Sequence, residues 1–294
     1  MRKIATIGFF DGVHRGHRFL FSVLRQEALK RSLEPLIVTF DHHPRAVLQT
    51  DYVPHLLTLP DERKALLAKE SETVFLSFED IYTFTAAEFI RMLHEEYETD
   101  VLVMGYDHQF GSDRLRHPQE YRRAGEENGV EVITMGEYID GEWHVSSTEI
   151  RQALENGNIA LANELLGYPY QLSGVVVHGN GIGRQIGFPT ANIQPGCAEK
   201  IVPKNGVYVV RAEGVLPNNE ARGILNIGSN PTVGNSGRTI ELHVPGFQGT
   251  LYGRELTVQF ERFIREERKF NDLQALQRQI KEDIRGVVEL PTNF

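Results

Sequence analysis

Gly8-Phe9-Phe10-Asp11-Gly12-Val13-His14-Arg15-Gly16-His17 decides the reading of the N-terminal half. An apolar run at residues 4–7 precedes it, and Phe19, Leu20, Val23, Leu24 and Ala28 follow at helical spacing. The stretch therefore joins a strand to an amphipathic helix over residues 16–31. Open α/β sheets bind ligands at this kind of junction, where free backbone N–H groups meet the positive end of a helix. Gly8, Gly12 and Gly16 are expected to let the backbone approach a phosphate closely. His14 and His17 are expected to donate ring N–H bonds to its oxygens and to add positive charge. An isolated His-x-x-His pair ordinarily reads as two surface histidines or as half of a metal site; the interleaved glycines between strand and helix decide for phosphate.

Further apolar runs at residues 36–40, 74–76, 101–104 and 130–133 alternate with helical patterns, including one at 86–94. Repeated β-α units of this kind predict an α/β domain built on a doubly wound, mainly parallel sheet. Two more helices are expected at residues 149–154 and 158–166. After Gly167-Tyr168-Pro169-Tyr170 the helical patterns give way to β-branched runs and Gly/Pro/Asn turns, which puts a domain boundary near 166–172. We read two domains, residues 1–168 and 169–294. Runs at 174–178, 207–212, 222–227, 239–244 and 256–260 predict an all-β antiparallel barrel. A C-terminal helix closes the chain, with Asn271 as its N-cap and Leu273, Leu276, Ile280 and Ile284 on one face. There is no internal repeat.

Composition agrees with two ordinary globular cores. The chain has 294 residues, 40% apolar and 24% charged, and domains usually run to roughly 100–200 residues. A net charge of -9 gives the surface the wrong sign for a polyphosphate backbone, so no nucleic-acid partner is expected. The single cysteine, Cys197, can form neither an internal disulfide nor a Cys/His metal cluster, which fits a reducing compartment. Met1-Arg2-Lys3 leads at once into a short strand pattern rather than a signal peptide, and no stretch reaches the roughly 18–20 apolar residues of a membrane span. A cytoplasmic protein with no membrane partner is expected. Oligomeric state is not legible.

A second phosphate motif is Ser146-Ser147-Thr148-Glu149-Ile150-Arg151, where three hydroxyls at a helix start and an arginine one turn later can clamp an anion. Taken alone it is a plain N-cap at Thr148 with a surface arginine. The loop Gly105-Tyr106-Asp107-His108-Gln109-Phe110-Gly111 follows the run at 101–104 and should open onto the same crevice. GFFDGVHRGH resembles the His-x-Gly-His signature of the nucleotidylyltransferase superfamily, and SSTEIR resembles its Ser-Ser-Thr-x-x-Arg element. The loop at Asp107 and Thr39-Phe40-Asp41-His42-His43-Pro44-Arg45 are similar to the FAD synthetase variants of that pattern. His144 stands where many relatives carry arginine, and Arg116 near a usual glycine. A histidine is only partly charged near neutrality, which allows a weaker, pH-sensitive phosphate grip.

In the second half, Gly179-Asn180-Gly181-Ile182-Gly183-Arg184-Gln185-Ile186-Gly187 can turn tightly over phosphates, with Arg184 adding charge. Thr190 and Asn192, shortly after Phe188 and Pro189, offer oxygen ligands suited to magnesium. GFPTAN resembles the Pro-Thr-Ala-Asn motif of riboflavin kinases. NIGSNPT at 226–232, IELHV at 240–244, LYG at 251–253 and FIREERKF at 263–270 continue that resemblance. Pro245-Gly246 and Thr250 depart from the usual pattern.

Taken together, nearly the whole chain resembles the prokaryotic bifunctional riboflavin kinase and FMN adenylyltransferase (FAD synthetase) family. The resemblance implies that the barrel makes FMN from riboflavin and ATP, and that the N-terminal domain makes FAD and pyrophosphate from FMN and a second ATP, with Mg2+ at the phosphates. It implies Glu241 as the general base of the kinase and His14 and His17 as catalytic groups of adenylyl transfer. Gly8, Phe9, Asp11, Gly16, Asp107, Ser146, Ser147, Thr148 and Arg151 would bind nucleotide in the first site. Gly179, Gly183, Arg184, Gly187, Phe188 and Pro189 would do so in the second, with Thr190 and Asn192 at the metal and Asn226, Tyr252 and Arg265 on the flavin side. Two rivals stay open: nucleotidyl transfer to another phosphate ester, and a flavin-binding module without turnover.

Overall fold

Strand β1 (Lys3–Ile7) is buried on both faces, and the rest of the first half is arranged around it. The computed structural model describes residues 1–49, 51–105, 108–136, 138–140, 143–179, 181–217, 219–229 and 237–288. The chain forms two compact units, Met1–Ser147 and Thr148–Phe294. In the first, β1 is followed by α1 (Arg15–Arg31), β2 (Glu34–Phe40), α2 (Pro44–Leu48), α3 (Pro60–Leu67), β3 (Glu72–Leu76), α4 (Phe78–Ile81) and α5 (Ala86–Tyr97). Then come β4 (Thr99–Met104), α6 (Pro118–Glu127), β5 (Glu131–Thr134) and a short hairpin of β6 (Ile139–Asp140) and β7 (Trp143–His144).

The five-stranded sheet has the order β3-β2-β1-β4-β5, every pair parallel, as expected of a doubly wound domain. The order reverses between β1 and β4, so the loops leaving these two strands flank the crevice where such sheets take ligands. Ile4, Ile37, Val101 and Val103 pack against Leu20, Phe21, Leu24 and Ala28 of α1. The alternate residues Ala5, Ile7, Leu36, Val38, Leu102 and Met104 pack against α5 and α6. This period of two, buried on both sides, is why the strands read as continuous apolar runs. Phe19, expected on the buried face of α1, is 37% exposed and stacks on Tyr138; Phe21 takes the core position.

Helix α7 (Ser147–Glu155) begins at the last residue of the first unit, and α8 (Ile159–Leu166) lies wholly in the second. There follow β8 (Gln171–Val177), α9 (Ile182–Gln185), β9 (Ala191–Pro195), β10 (Gly206–Leu216), β11 (Asn219–Ser229), β12 (Arg238–His243), β13 (Glu255–Arg265) and α10 (Leu273–Val288). The change in sequence character near residue 168 marks the end of the helical patterns, whereas the compact units divide upstream of it. The reason is hydrogen bonding: Asn163 accepts from the Tyr170 amide (2.7 Å) and donates to the Phe260 carbonyl (2.8 Å), and Leu154 accepts from the Lys204 amide (3.0 Å).

The barrel is closed and antiparallel, in the order β10-β11-β12-β9-β8-β13. Five of its strands match the expected runs. The sixth, β9, went unrecognised because it is short and lies within a motif read as a loop; pairing with β8 and β12 makes it a strand. Tyr208, Leu225, Leu242 and Ala191 are directly opposite one another across four strands and are buried inside. On the outer wall, Val207, Val209 and Ile224 pack against Ile264 and Ile284, the latter on α10.

Two expectations for α10 are corrected. Leu273 is 56% exposed, so the buried stripe begins a turn later. The helix is capped by Asp272, whose carboxylate accepts from the Ala275 amide at 2.7 Å, rather than by Asn271. Asp272→Ala should therefore cost about 1 kcal/mol of stability, and Asn271→Ala less than about 0.3 kcal/mol, in thermal unfolding of the full chain.

Candidate active sites

The cradle after β1 is held in a strained conformation. Phe10 (φ 56°) and Val13 (φ 37°) are left-handed, and Gly12 (φ 80°) is the one such position occupied by glycine. Non-glycine residues in this region cost roughly 1–3 kcal/mol each and persist only where surroundings impose them. Here Asp11 does so: both of its oxygens accept from the Leu57 amide (3.0 Å), and one also from the Thr58 amide and hydroxyl (3.0 and 3.1 Å). The Thr58 hydroxyl in turn accepts from the Gly12 amide at 2.9 Å. The Asp11 carboxylate is thus turned onto the 57–58 segment and shapes the cradle from behind.

At Gly8 and Gly16 the protein itself leaves no room for a side chain. A Cβ on Gly8 would stand 2.7 Å from the Phe10 ring, and one on Gly16 would stand 3.1 Å from the Val145 carbonyl. His14 is the N-cap of α1, and its Nδ1 accepts from the His17 amide at 3.4 Å. The two rings stack with centroids 3.5 Å apart. Burial, then the neighbouring His14 and His108, push the His17 pKa well below its ordinary value. The ring is neutral near neutral pH, so in this state His17 is an N–H donor. Its Nδ1 has no hydrogen-bond partner among the described residues.

The second signature reaches this cradle through Ser147, whose hydroxyl donates to the Asp11 carbonyl at 3.0 Å. Ser146 is half-buried beside it in sequence, and His144 is exposed. Thr148 and Arg151 belong to the second unit, on α7, with Thr148 exposed and Arg151 half-buried. Phe9 faces protein: its ring meets His43 edge-on at 4.7 Å, and its carbonyl accepts from Thr39 Oγ1 at 3.2 Å. Asp107 lies outside the described residues, as do Asn180 and the Asn230-Pro231-Thr232 part of the barrel motif.

In the barrel, strand register assembles the second site. Asn192, Glu241, Asn226 and Val207 are directly opposite one another on β9, β12, β11 and β10, and so share the outer face. Glu241, Asn226 and Thr190 line a cavity of about 390 Å³ between this wall and α10, together with Gly183, Phe188 and Arg265. Burial raises the Glu241 pKa. The loop before β9 closes on itself: Phe188 N–H donates to the Gly183 carbonyl at 2.8 Å, and a Cβ on Gly183 would stand 2.4 Å from the Phe188 carbonyl. His243 holds the loop down, its Nδ1 being 2.9 Å from the Pro189 carbonyl.

Thr190 and Asn192 fit a magnesium ion. Their hydroxyl and amide oxygens are the uncharged hard donors that such an ion takes alongside phosphate oxygens. Gly179 keeps space for the amide, since a Cβ there would stand 2.1 Å from Asn192 Nδ2.

The flavin-side residues separate. Arg265 lines the cavity but is engaged by Asp283 of α10 in a two-pronged ion pair (Nη2–Oδ2 2.7 Å, Nε–Oδ1 3.1 Å). Tyr252 does not reach the Glu241 cavity: it is 43% exposed, stacks on His178 at 3.9 Å, and lines a second pocket of about 70 Å³ with Arg184 and Pro189. Thr190 borders both spaces, while Gly187 (φ 84°) turns the chain between α9 and Phe188. Asp283, with Leu276 and Ile280 of α10 beside it on the cavity wall, was missed. Its signal was available as an acidic residue on an otherwise apolar helical stripe.

Comparison with known proteins agrees with both halves. Residues 1–149 match the family described as FAD synthetase, and residues 166–290 match riboflavin kinase. The bifunctional riboflavin kinase/FMN adenylyltransferase of Escherichia coli (strain K12) is 37% identical over 95% of this chain and 90% of its own length. That of Bacillus subtilis (strain 168) is 33% identical over 100% of this chain and 94% of its own. A Streptococcus pneumoniae crystal structure, described as that of a macrolide-efflux protein, superposes with a TM-score of 0.88 at 32% identity, covering 99% of this chain and 95% of that one. Among the described residues of this chain, no helix is long and apolar enough to cross a membrane. With two ordered sites on two folds and full-length relatives that share both, the chain belongs to the bifunctional riboflavin kinase/FMN adenylyltransferase family.

Proposed function

We propose a division of labour in which residues 169–294 phosphorylate riboflavin and residues 1–168 adenylylate the FMN so formed. The chain is a transferase of FAD synthesis acting through FMN, with ATP as donor in both steps. The observation that carries the residue assignment is the ladder that sets Glu241 between Asn192 and Asn226 on the wall of the 390 Å³ cavity.

In the kinase step, Glu241 takes the proton from the primary hydroxyl of the ribityl chain as its oxygen bonds to the γ-phosphorus of ATP and the bond to ADP breaks. Burial suits Glu241 to this, because a desolvated carboxylate is a stronger base. Thr190 and Asn192 would hold Mg2+, which supplies charge neutralisation at the phosphates. Gly179, Gly183, Gly187 and Phe188 shape the loop around them, Arg184 adds positive charge, and Asn226 orients the flavin side. In the adenylyl step, an FMN phosphate oxygen bonds to the α-phosphorus of ATP and pyrophosphate leaves, with no protein nucleophile. The cradle from Gly8 to His17 holds the triphosphate, its two imidazoles donating N–H bonds. Ser146, Ser147, Thr148 and Arg151 complete that grip, with Asp107 on the facing loop. A cytoplasmic location, with no nucleic-acid or membrane partner, fits the acidic charge and single cysteine.

His17→Ala should lower FAD formation from FMN by about 10²–10³-fold, the scale of one lost transition-state donor, with riboflavin phosphorylation unchanged. Because His17 is neutral, the adenylylation rate should show no inflection from it near pH 6.5, its roughly ordinary value. Normal FAD synthesis by the purified variant would remove His17 from the site.

Glu241→Gln should abolish FMN formation while leaving FAD formation from supplied FMN intact. For the parent, the acid limb of riboflavin phosphorylation should lie above the ordinary glutamate range, since the base must lose its proton. The raised pKa also means that protonation favours the folded state: that stabilisation is present below the ordinary value and is lost as pH rises through the folded one. Glu241→Gln should thus melt higher than the parent at neutral pH, and the gap should close in acid.

A further inference from the structure

Arg63 of α3 is the bulkiest fully buried side chain described, at 1% exposure, and no carboxylate pairs with it among the described residues. Its two terminal nitrogens are satisfied by backbone instead, while Nε has no hydrogen-bond partner among the described residues. Nη1 donates to the Phe9 carbonyl at 3.0 Å, and Nη2 donates to the carbonyls of Phe40 at 2.6 Å and Asp41 at 3.3 Å. Its face lies 3.8 Å over the Phe9 ring. Phe40 is the last residue of β2, and Phe9 lies in the cradle just past β1, so one cation ties together the exits of two adjacent parallel strands.

The tie has a directional consequence. A trans peptide points its N–H opposite to its C=O. Turning the Phe9 carbonyl onto Arg63 and Thr39 therefore sets the Phe10 N–H the other way and fixes the entry to the left-handed Phe10 turn. Charge is the second consequence. Burial lowers the Arg63 pKa to about 10, with Asp11 and Asp41 opposing the fall, so the group stays protonated near neutrality. Packing alone would be served at lower cost by an apolar side chain of similar volume. A charge held by carbonyls behind a phosphate cradle instead favours an anion in front of it.

We propose that Arg63 is a positioning residue for adenylyl transfer, fixing the Phe9–Phe10 turn and placing a permanent positive charge behind the nucleotide crevice. The inference rests on reading the cradle as the adenylylation site. Arg63 acts through the loop and does not touch the reacting atoms.

The test compares Arg63→Met, Arg63→Gln and Arg63→Lys in the full chain, with FAD formation from FMN and FMN formation from riboflavin followed in parallel. Arg63→Met should lower the adenylylation kcat by about 10- to 100-fold, the effect of a displacement of order 1 Å, and should raise the KM for ATP in that reaction. Riboflavin phosphorylation should stay within about twofold, and Arg63→Lys, which keeps the charge and can reach the Phe40 carbonyl, should recover adenylylation to within about fivefold of the parent. Should Arg63→Met lose both activities through misfolding, Arg63→Gln, a neutral donor, carries the comparison with Arg63→Lys. A folded Met or Gln variant adenylylating within threefold of the parent overturns the proposal, as does a lysine variant no better than the neutral ones. His17→Ala serves as the control: if it leaves adenylylation intact, the cradle reading fails; if it abolishes the reaction while Arg63→Met does not, only the role of Arg63 fails.

Discussion

Strand register is the constraint on which both sites depend. Residues directly opposite in a sheet share a face, and a slip of one residue moves a whole strand's side chains to the other face. On β12, Leu242 packs inside the barrel, while Glu241 and His243 stand on the outer wall, where a cavity and a helix can meet them. One step of slip would put Glu241 among Tyr208 and Leu225 and expose Ile240 and Leu242 in exchange. The apolar interior therefore specifies the position of the Glu241 carboxylate. In the parallel sheet the same logic acts through strand order: the reversal between β1 and β4 leaves their exits uncovered by a crossover helix, and the cradle occupies that gap.

Buried charge is handled differently at each place it occurs. Burial raises the Glu241 pKa, which keeps its carboxylate basic. Arg265 and Asp283 are paired with good geometry, so their charges serve to hold α10 against the barrel. Arg63 is solvated by backbone carbonyls and keeps its charge, and His17 gives its charge up. The four outcomes follow from what the fold sets beside each group: burial, a paired carboxylate, backbone carbonyls or other histidine rings.

Much of this was legible in the residues. All five parallel strands, α1, α5, α8 and five barrel strands follow apolar periodicity, because burial on one or two faces writes itself into local sequence. The family was legible for a different reason, the rarity of the residue combinations in its motifs. The contacts that were not legible share a cause. At Gly8 and Gly16, Phe10 and the Val145 carbonyl stand where a side chain would be, and the Asp11 carboxylate is a bracket for residues 57–58. Tyr252 and Arg265 stood near the right motifs and are occupied by His178 and Asp283. In each case the partner is distant in sequence or comes from a side chain whose direction no pattern encodes.

By itself, then, the sequence determined the class of each half, the strands that carry the motifs, and the two chemistries, since period, turn residues and motif spacing are local properties of the chain. Tertiary structure alone decided that β9 completes the barrel, that the cavity beside Glu241 lies on the barrel's outer wall beneath α10, and that Arg63 ties β2 to the Phe9 turn. These outcomes depend on pairing between segments far apart in the chain, where the free energy of a contact is set by what the rest of the fold places opposite it.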